Sequence, residues 1–170
     1  MKYISSDTNV WIDFLEIGEL QLPFKLPYTY IMSELTVQDE ILNPPELGRT
    51  LLSYGLIAVE LTTDELILAG KYYAKYRNPS RYDCIALAIA KQRNIVLMTG
   101  DKHLRAAAES ENVLVIGTIG ILDQLYETET ISTDEYAEII KKLQKENGGK
   151  VRLPANALAE RLENLGKQGR

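Results

Sequence analysis

The sequence predicts an α/β fold built on a parallel sheet, and three observations lead to this prediction. Short β-rich runs alternate with segments of helical periodicity. Several of these runs are continuously apolar, which is typical of parallel strands covered on both faces. The length of 170 residues, 45% of them hydrophobic, suits one domain with a substantial core. We therefore expect a three-layer sandwich, with a central sheet of about five strands and helices on both faces.

Each expected element follows from its local pattern. Strands are expected at residues 2–6, 28–32, 57–61, 95–99 and 113–116. Helices are expected near 10–20, 34–42, 63–77, 82–93 and 102–111, and a C-terminal pair is expected at 133–146 and 155–165. Pro44-Pro45 ends the second helix and Asn78-Pro79 separates the third from the fourth. We expect residues 1–126 to form the main domain and 127–170 a helical extension packed on the same domain.

Composition excludes several classes of protein. No apolar run is long enough to span a bilayer, and the N-terminus lacks a signal-peptide pattern. We therefore expect a cytoplasmic protein without a membrane partner. Cys84 is the only cysteine, which excludes a disulfide scaffold and a thiolate zinc site within one chain.

Three aspartates occupy positions where a ligand site is expected. Asp7 follows the first predicted strand and Asp101 follows the fourth, and open α/β sheets bind ligands beyond the carboxyl ends of their strands. Asp83 begins a helix and shares a face with Ala86 and Leu87, where a carboxylate is costly unless it is hydrogen-bonded or metal-bound. Together they predict an oxygen-rich site for Mg²⁺ or Mn²⁺, and hence a metal-dependent enzyme.

Each of these acids also has a purely structural interpretation. Asp7 and Asp101 precede helices and are suited to cap them. Ser80 and Asp83 have the spacing of a capping box. A fourth acid is expected in the helix at 34–42, where Glu40, Asp39 and Glu34 are the candidates and spacing alone does not choose among them.

A basic segment surrounds two of the aspartates. Between Lys71 and Arg105 there are eight basic residues and only two acids, Asp83 and Asp101, although the chain as a whole carries a net charge of -5. A set of solvated helix faces would explain the pattern. A cationic rim around an acidic site that acts on an anionic polymer would also explain it, and the placement of the two acids favours this second interpretation.

Three motifs resemble those of PIN-domain ribonucleases. They are Ser6-Asp7-Thr8-Asn9-Val10-Trp11-Ile12-Asp13, Tyr82-Asp83-Cys84-Ile85-Ala86-Leu87-Ala88, and Leu97-Met98-Thr99-Gly100-Asp101-Lys102-His103-Leu104-Arg105. The resemblance covers roughly residues 2–126. It implies a PIN-like sandwich, a further acid in the helix after the second strand, best matched by Glu40, and a bacterial or archaeal protein of the toxin-like type.

The resemblance also implies a mechanism and a set of site residues. Asp7, Glu40, Asp83 and Asp101 would be the catalytic and metal-binding residues of an endoribonuclease that hydrolyses phosphodiester bonds with metal-activated water. The candidates for substrate binding are Thr8, Asn9, Arg81, Lys102, His103 and Arg105. The expected partners are single-stranded or structured RNA and an antitoxin protein. Separately from the resemblance, the helical tail from residue 132 onward is a candidate surface for binding a second copy of the chain.

Two alternatives are weighed against the nuclease. A receiver or haloacid-type phosphatase would need paired acids or an Asp-x-Asp at the first strand end, together with a distal lysine. The first strand instead ends in Asp7-Thr8-Asn9, and no lysine follows the strand at 113–116. A non-catalytic PIN-like domain that binds RNA or protein is the second alternative.

Trp11 and Cys84 are expected in the core, as are Tyr72 and Tyr73.

Overall fold

The computed structural model describes residues 2–39 and 46–168 of the chain. All strands of these residues lie in one sheet. They are β1 (Lys2–Ser6), β2 (Tyr28–Ser33), β3 (Ile57–Val59), β4 (Val96–Met98) and β5 (Val115–Ile116). Neighbouring strands are parallel throughout, in the spatial order β3-β2-β1-β4-β5. The predicted α/β class and the five-stranded parallel sheet are confirmed.

The strand order reverses direction at β1. Ile4 of β1 pairs with Tyr30 of β2 on one side and with Val96 of β4 on the other. The chain runs outward from β1 to β3 and then returns to the other side of β1 for β4 and β5. The space beyond the carboxyl ends of β1 and β4 is therefore the topological switch point, where open α/β sheets bind ligands.

Helices connect and follow the strands. Within the described residues they are α1 (Thr8–Glu16), α2 (Glu34–Asp39), α3 (Leu47–Tyr54), α4 (Thr63–Lys75), α5 (Arg81–Arg93), α6 (Lys102–Ser110), α7 (Thr118–Glu127), α8 (Thr133–Glu146) and α9 (Ala155–Gln168), with a 3₁₀ turn at Leu22–Lys25. The bounds of α4, α5, α6, α8 and α9 agree with the predicted ones within three residues. None of the helices in 2–39 and 46–168 combines the length and apolar character that a membrane crossing requires.

Two helices differ from the prediction at their ends. α1 begins at Thr8 and ends at Glu16 rather than spanning 10–20. Gly18, with φ of 71°, adopts the left-handed conformation that ends a helix. α2 is described as far as Asp39, and the last three residues expected in it lie outside the described part of the chain.

The sequence did not predict α3 and α7. In α7, Thr118, which is β-branched, and Gly120 both lower the helix propensity of the first turn. Ile121, Leu122 and Leu125 nevertheless lie on one face and have no exposed surface. Packing of this face outweighs the weak local propensity, because most helical stability in proteins comes from tertiary burial.

The described residues form two compact units, and the first contains the sheet. It comprises those of residues 1–10 and 27–117. Ile4 and Ser5 point to opposite faces of β1 and are 2% and 0% exposed, so both faces of this strand are covered. α5 packs on the central strands and buries seven consecutive residues, among them Cys84 as expected. The Ser5 hydroxyl donates to the Ala86 carbonyl at 2.8 Å, which holds the start of α5 beside β1.

The second unit contains the C-terminal helices. It comprises the described residues of 11–26 and 118–170. Trp11, fully buried as expected, stacks on Phe24 with ring centroids 5.0 Å apart. Asp123 of α7 accepts hydrogen bonds from Tyr136 of α8 at 2.6 Å and from Arg161 of α9 at 3.0 Å. The predicted helical pair is confirmed, and this carboxylate joins it to α7.

An acidic side chain is buried in the second unit. Asp13 of α1 is 6% exposed, and the hydroxyl of Thr118 donates to its Oδ2 atom at 2.6 Å. Burial raises the pKa of Asp13 to about 6, although the hydrogen bond from Thr118 acts in the opposite direction. The ionisation of Asp13 is therefore linked to folding stability near neutral pH.

Candidate active site

Asp7 lies directly after β1 and its carboxylate is held in one orientation. The side chain is 4% exposed. Its backbone N–H donates to the carbonyl of Met98 at 2.9 Å, which places Asp7 level with the end of β4. Oδ1 accepts from the N–H of Thr8 at 2.8 Å, and Oδ2 accepts from the hydroxyl of Thr99 at 2.9 Å. The carboxylate is thus fixed at the switch point of the sheet.

Thr99 links the acid after β1 to the acid after β4. While its hydroxyl donates to Asp7, the same oxygen accepts from the backbone N–H of Asp101 at 3.1 Å. Asp101 is the N-cap residue just before α6, and its Oδ1 accepts from the N–H of Leu104 at 2.8 Å, so the capping interpretation of Asp101 is confirmed. Sequence reasoning did not select Thr99 as a site residue. The available signal was a hydroxyl residue at a strand end, two positions before an acid.

Asp83 reaches the same place from the first turn of α5. Its Oδ2 accepts from the N–H of Ser80 at 2.8 Å, and its own N–H donates to the Ser80 hydroxyl at 3.1 Å. The predicted capping box is therefore present. The Asp83 carboxyl group is also hydrogen-bonded to that of Asp7. Burial chiefly, and then the negative charge of Asp101, raise the pKa of Asp83, against the opposing effect of the bonds to Ser80 and Asp7.

These three acids therefore lie together, and each also has a structural role. Their hydrogen bonds show why a cap and a functional site are not exclusive: a carboxylate has two oxygens, and the cap occupies only part of their capacity. The N-termini of α1, α5 and α6 begin at or next to these acids, where the helix dipoles favour negative charge.

The fourth acid is the least defined part of the site. Glu40 lies outside the described residues. Asp39, the last residue of α2, is exposed, and its Oδ2 accepts from the hydroxyl of Tyr82 at 3.2 Å. Since Tyr82 precedes Asp83, the end of α2 lies beside the first turn of α5. Glu34 is exposed at the other end of α2.

Thr8 and Asn9 have different environments. The Asn9 Oδ1 atom accepts from the N–H of Gly100 at 2.9 Å, which ties the start of α1 to the loop after β4. The Thr8 hydroxyl is buried and has no hydrogen-bond partner among residues 2–39 and 46–168. Asn9 thus positions the loop that carries Asp101, whereas the Thr8 hydroxyl is enclosed beside Asp7.

Cationic side chains lie at the same edge of the sheet. Lys102 and His103, in the first turn of α6, are exposed, as is Arg81 in the first turn of α5. The Arg105 Nη2 atom lies 3.5 Å from the carbonyl oxygen of Thr99. A Cβ on Gly117 would lie 3.0 Å from this same Nη2 atom. A glycine at position 117 therefore leaves room for this guanidinium against the edge of the sheet.

Other basic side chains of the segment from Lys71 to Arg105 are paired with acids that lie outside this segment. Arg93 binds Glu65 at 2.6 Å. Lys75 binds Glu111 at 2.9 Å, and Lys91 donates to the backbone carbonyl of Glu111 at 2.7 Å. Fewer of the eight basic side chains are therefore free to contact an anionic polymer than the local charge balance indicated.

The tyrosines of this segment also divide into classes. Tyr72 is 3% exposed and packs in the core, as expected. Tyr73 is 55% exposed, so the expectation that it contributes to packing within the chain was wrong. The residue points to the opposite side of α4 from Tyr72, because successive helical positions differ by about 100°.

The donors of the site suit a hard divalent cation in their chemistry. Carboxylate oxygens are the ligands that Mg²⁺ and Mn²⁺ prefer, and Mg²⁺ is commonly held by one or two carboxylates while it keeps several waters. In the described part of the chain no three Asp, Glu, His or Cys side chains form a ready metal-binding group. The Asp83 carboxyl group lies beside that of Asp7, and a divalent cation bound there would offset the repulsion between the two carboxylates.

Comparison with protein families agrees with this geometry. The model of the family DUF3368, described as a PIN domain, matches residues 3–167. No curated protein and no solved structure matches the chain significantly. The match includes the sheet and the acids after β1, at the start of α5 and after β4. The chain therefore belongs to the PIN-domain family DUF3368.

Proposed function

We propose that this protein is a metal-dependent endoribonuclease that hydrolyses phosphodiester bonds in RNA. The observation that carries the proposal is the convergence of Asp7, Asp83 and Asp101 at the switch point of the sheet. Membership of the PIN-domain family supports it, because PIN domains are generally nucleases. Glu40, or Asp39 in its place, is proposed as the fourth acid.

The residues of the site would divide the work. Asp7, Asp83 and Asp101 would be the residues that hold Mg²⁺ or Mn²⁺, directly or through water. A cation held there supplies a nucleophilic water at neutral pH and neutralises charge on the phosphate. Thr99 keeps Asp7 oriented through its 2.9 Å hydrogen bond, and Asn9 fixes the loop before Asp101 through its bond to Gly100.

The proposed substrate path lies along the first turns of α5 and α6. Arg81, Lys102 and His103 are exposed there, and Arg105 lies at the adjacent edge of the sheet. An RNA backbone that crosses this edge would place one phosphate next to the acids. The basic side chains would then contact the neighbouring phosphates. RNA is favoured as the polymer by the resemblance of the motifs to those of PIN ribonucleases.

Cleavage of a labelled single-stranded RNA tests the proposal. We expect the wild-type protein to cleave with Mn²⁺ or Mg²⁺ and to stop with excess chelator, whereas Asp7→Asn and Asp101→Asn lose activity. Asp134→Asn, which removes an exposed acid from α8, is the matched control and should cleave normally. Equal cleavage by all four proteins, or cleavage unaffected by the chelator, would contradict the proposal.

The resemblance adds a cytoplasmic toxin role with an antitoxin partner. This role predicts that expression of the wild type arrests growth and that expression of Asp7→Asn does not.

The role of Lys102 in binding can be measured through salt dependence. In an Asp7→Asn background, Lys102→Gln should weaken binding to single-stranded RNA and lower the slope of log K against log salt by about 0.7, the value for one phosphate contact. Lys167→Gln removes an exposed lysine from α9 and should leave the slope unchanged. The proposed path would be wrong if the two variants gave the same slope.

A further inference from the structure

Three residues form a row across the carboxyl edge of the sheet. The strands β1, β4 and β5 end in register, because Met98 is paired with the last residue of β1 and with the last residue of β5. The residues that follow these strands are Asp7, Thr99 and Gly117. The N–H of Asp7 donates to the carbonyl of Met98 at 2.9 Å, and the N–H of Thr99 donates to that of Ile116 at 3.0 Å. We call Asp7, Thr99 and Gly117 the strand-end row.

Gly117 is not required by the backbone at its position. Its φ lies outside the left-handed range, where glycine is favoured over other residues. The space of the missing side chain is instead needed by Arg105, since a Cβ at Gly117 would lie 3.0 Å from the Nη2 atom, a distance shorter than ordinary van der Waals contact. The 3.5 Å between this Nη2 atom and the Thr99 carbonyl oxygen is at the outer limit of hydrogen bonding. The open space at Gly117 therefore contributes more than this bond to the position of the guanidinium.

The charge of Arg105 is positioned without being neutralised. No carboxylate in the described part of the chain forms an ion pair with it, whereas Arg93 is bound to Glu65 at 2.6 Å. A guanidinium has five N–H donors, and the long contact to Thr99 leaves most of them unused. A planar group of this kind is suited to bidentate binding of phosphate oxygens.

We propose, on the basis of the proposed ribonuclease function, that Gly117 is a positioning residue for RNA binding. Its missing side chain admits the guanidinium of Arg105, which then binds a phosphate next to the scissile one. Neighbouring strands are about 4.8 Å apart, so the two ends of the strand-end row are separated by about 10 Å. This separation leaves room for the scissile phosphate beside Asp7 and places Arg105 at a neighbouring phosphate.

Addition of one methyl group at Gly117 tests the proposal in a binding experiment. In an Asp7→Asn background, which does not cleave, Gly117→Ala should weaken binding to single-stranded RNA roughly threefold to tenfold. It should also lower the slope of log K against log salt by about 0.7, as Arg105→Gln does. In a protein that already carries Arg105→Gln, Gly117→Ala should have no further effect, because the two changes remove the same contact. Gly70→Ala, at a helical glycine with nothing within 4 Å, is the control and should bind as the parent does.

Stability and kinetics distinguish positioning of Arg105 from a structural role of Gly117. Alanine at a glycine with an ordinary φ restricts the unfolded chain, so Gly117→Ala should keep or raise the melting temperature while RNA binding weakens. In the active protein, KM should rise and kcat should be unchanged, since the lost contact is the same in the ground state and the transition state. The Thr99 carbonyl oxygen lies 3.4 Å from the same Cβ position, and a disturbed Thr99 would release Asp7 and lower kcat.

Several of these measurements can overturn the proposal. It is wrong if Gly117→Ala keeps the salt slope of its parent, or if it weakens binding equally with and without Arg105→Gln. A melting temperature that falls together with RNA affinity, or a lowered kcat, would also overturn it. An Asp7→Asn protein that binds no RNA would contradict the proposed function itself, and with it the role of Gly117.

Discussion

Replacing Asp83 by asparagine is expected to abolish RNA cleavage and, at neutral pH without metal, to raise the melting temperature of the protein. Activity should fall at least about 100-fold, comparable to removal of one group that stabilises charge in a transition state. The stability change has the opposite sign because burial and the charge of Asp101 raise the pKa of Asp83, so its ionised form is unfavourable in the folded protein. An asparagine oxygen can still accept from the Ser80 N–H and retain the cap.

Ser80→Ala provides the matched control for this prediction. It removes the hydroxyl that accepts from the Asp83 N–H at 3.1 Å but leaves all the carboxylates in place. We expect it to lower the melting temperature, since loss of a capping hydroxyl costs about 1 kcal/mol. Mn²⁺ should raise the melting temperature of the wild type and of Ser80→Ala, and should have little effect on Asp83→Asn.

The combination of readouts separates a metal-binding acid from a structural one. If Asp83 served only the capping box, Asp83→Asn would cleave RNA at nearly the wild-type rate, and Mn²⁺ would stabilise it as it does the wild type. A loss of both activity and stability would indicate misfolding and contradict the expected sign. If Asp83→Asn loses activity and is also more stable than the wild type without metal, the acids form a cluster that destabilises the fold and is retained for function. No other combination of the two results agrees with this interpretation.

The position of the site could be predicted because it depends on strand ends and order. β1 and β4 are apolar runs with an acid after each, and parallel strands place their carboxyl ends at one edge of the sheet. The capping-box spacing of Ser80 and Asp83 also predicted the start of α5 correctly. These features are local in sequence, so a single chain reveals them.

Features that depend on long-range contacts could not be predicted in the same way. The partner of Thr99 is Asp7, 92 residues away, and nothing near either residue indicates the pair. The partners of Arg93 and Lys75 lie 28 and 36 residues away, outside the window whose charge was counted. The exposure of Tyr73 required the orientation of α4, which Glu65 and Tyr72 set through contacts with other elements.

Asp13 is expected to make stability depend on pH in a sense opposite to that of an ion-paired aspartate. Its pKa is raised from 3.8 to about 6 in the folded protein, so the folded state binds more protons than the unfolded state between these values. Stability is therefore greatest below the unfolded pKa and falls as the pH rises through the folded pKa. A difference of about two pKa units corresponds to about 3 kcal/mol.

The comparison of Asp13→Asn with the wild type isolates this contribution. An asparagine oxygen can accept the hydrogen bond from Thr118, which is 2.6 Å long in the wild type, but the amide does not ionise. Urea unfolding at pH 4 and pH 7.5 should show the variant gaining about 2 kcal/mol relative to the wild type between the two conditions, because the unfolded-state carboxyl is already partly ionised at pH 4. Asp134→Asn, at an exposed position, should show a difference near zero. The prediction would be wrong if the free energy of unfolding of Asp13→Asn differed from that of the wild type by the same amount at both pH values. A constant difference would reflect packing or hydrogen bonding and not the linkage between the ionisation of Asp13 and folding.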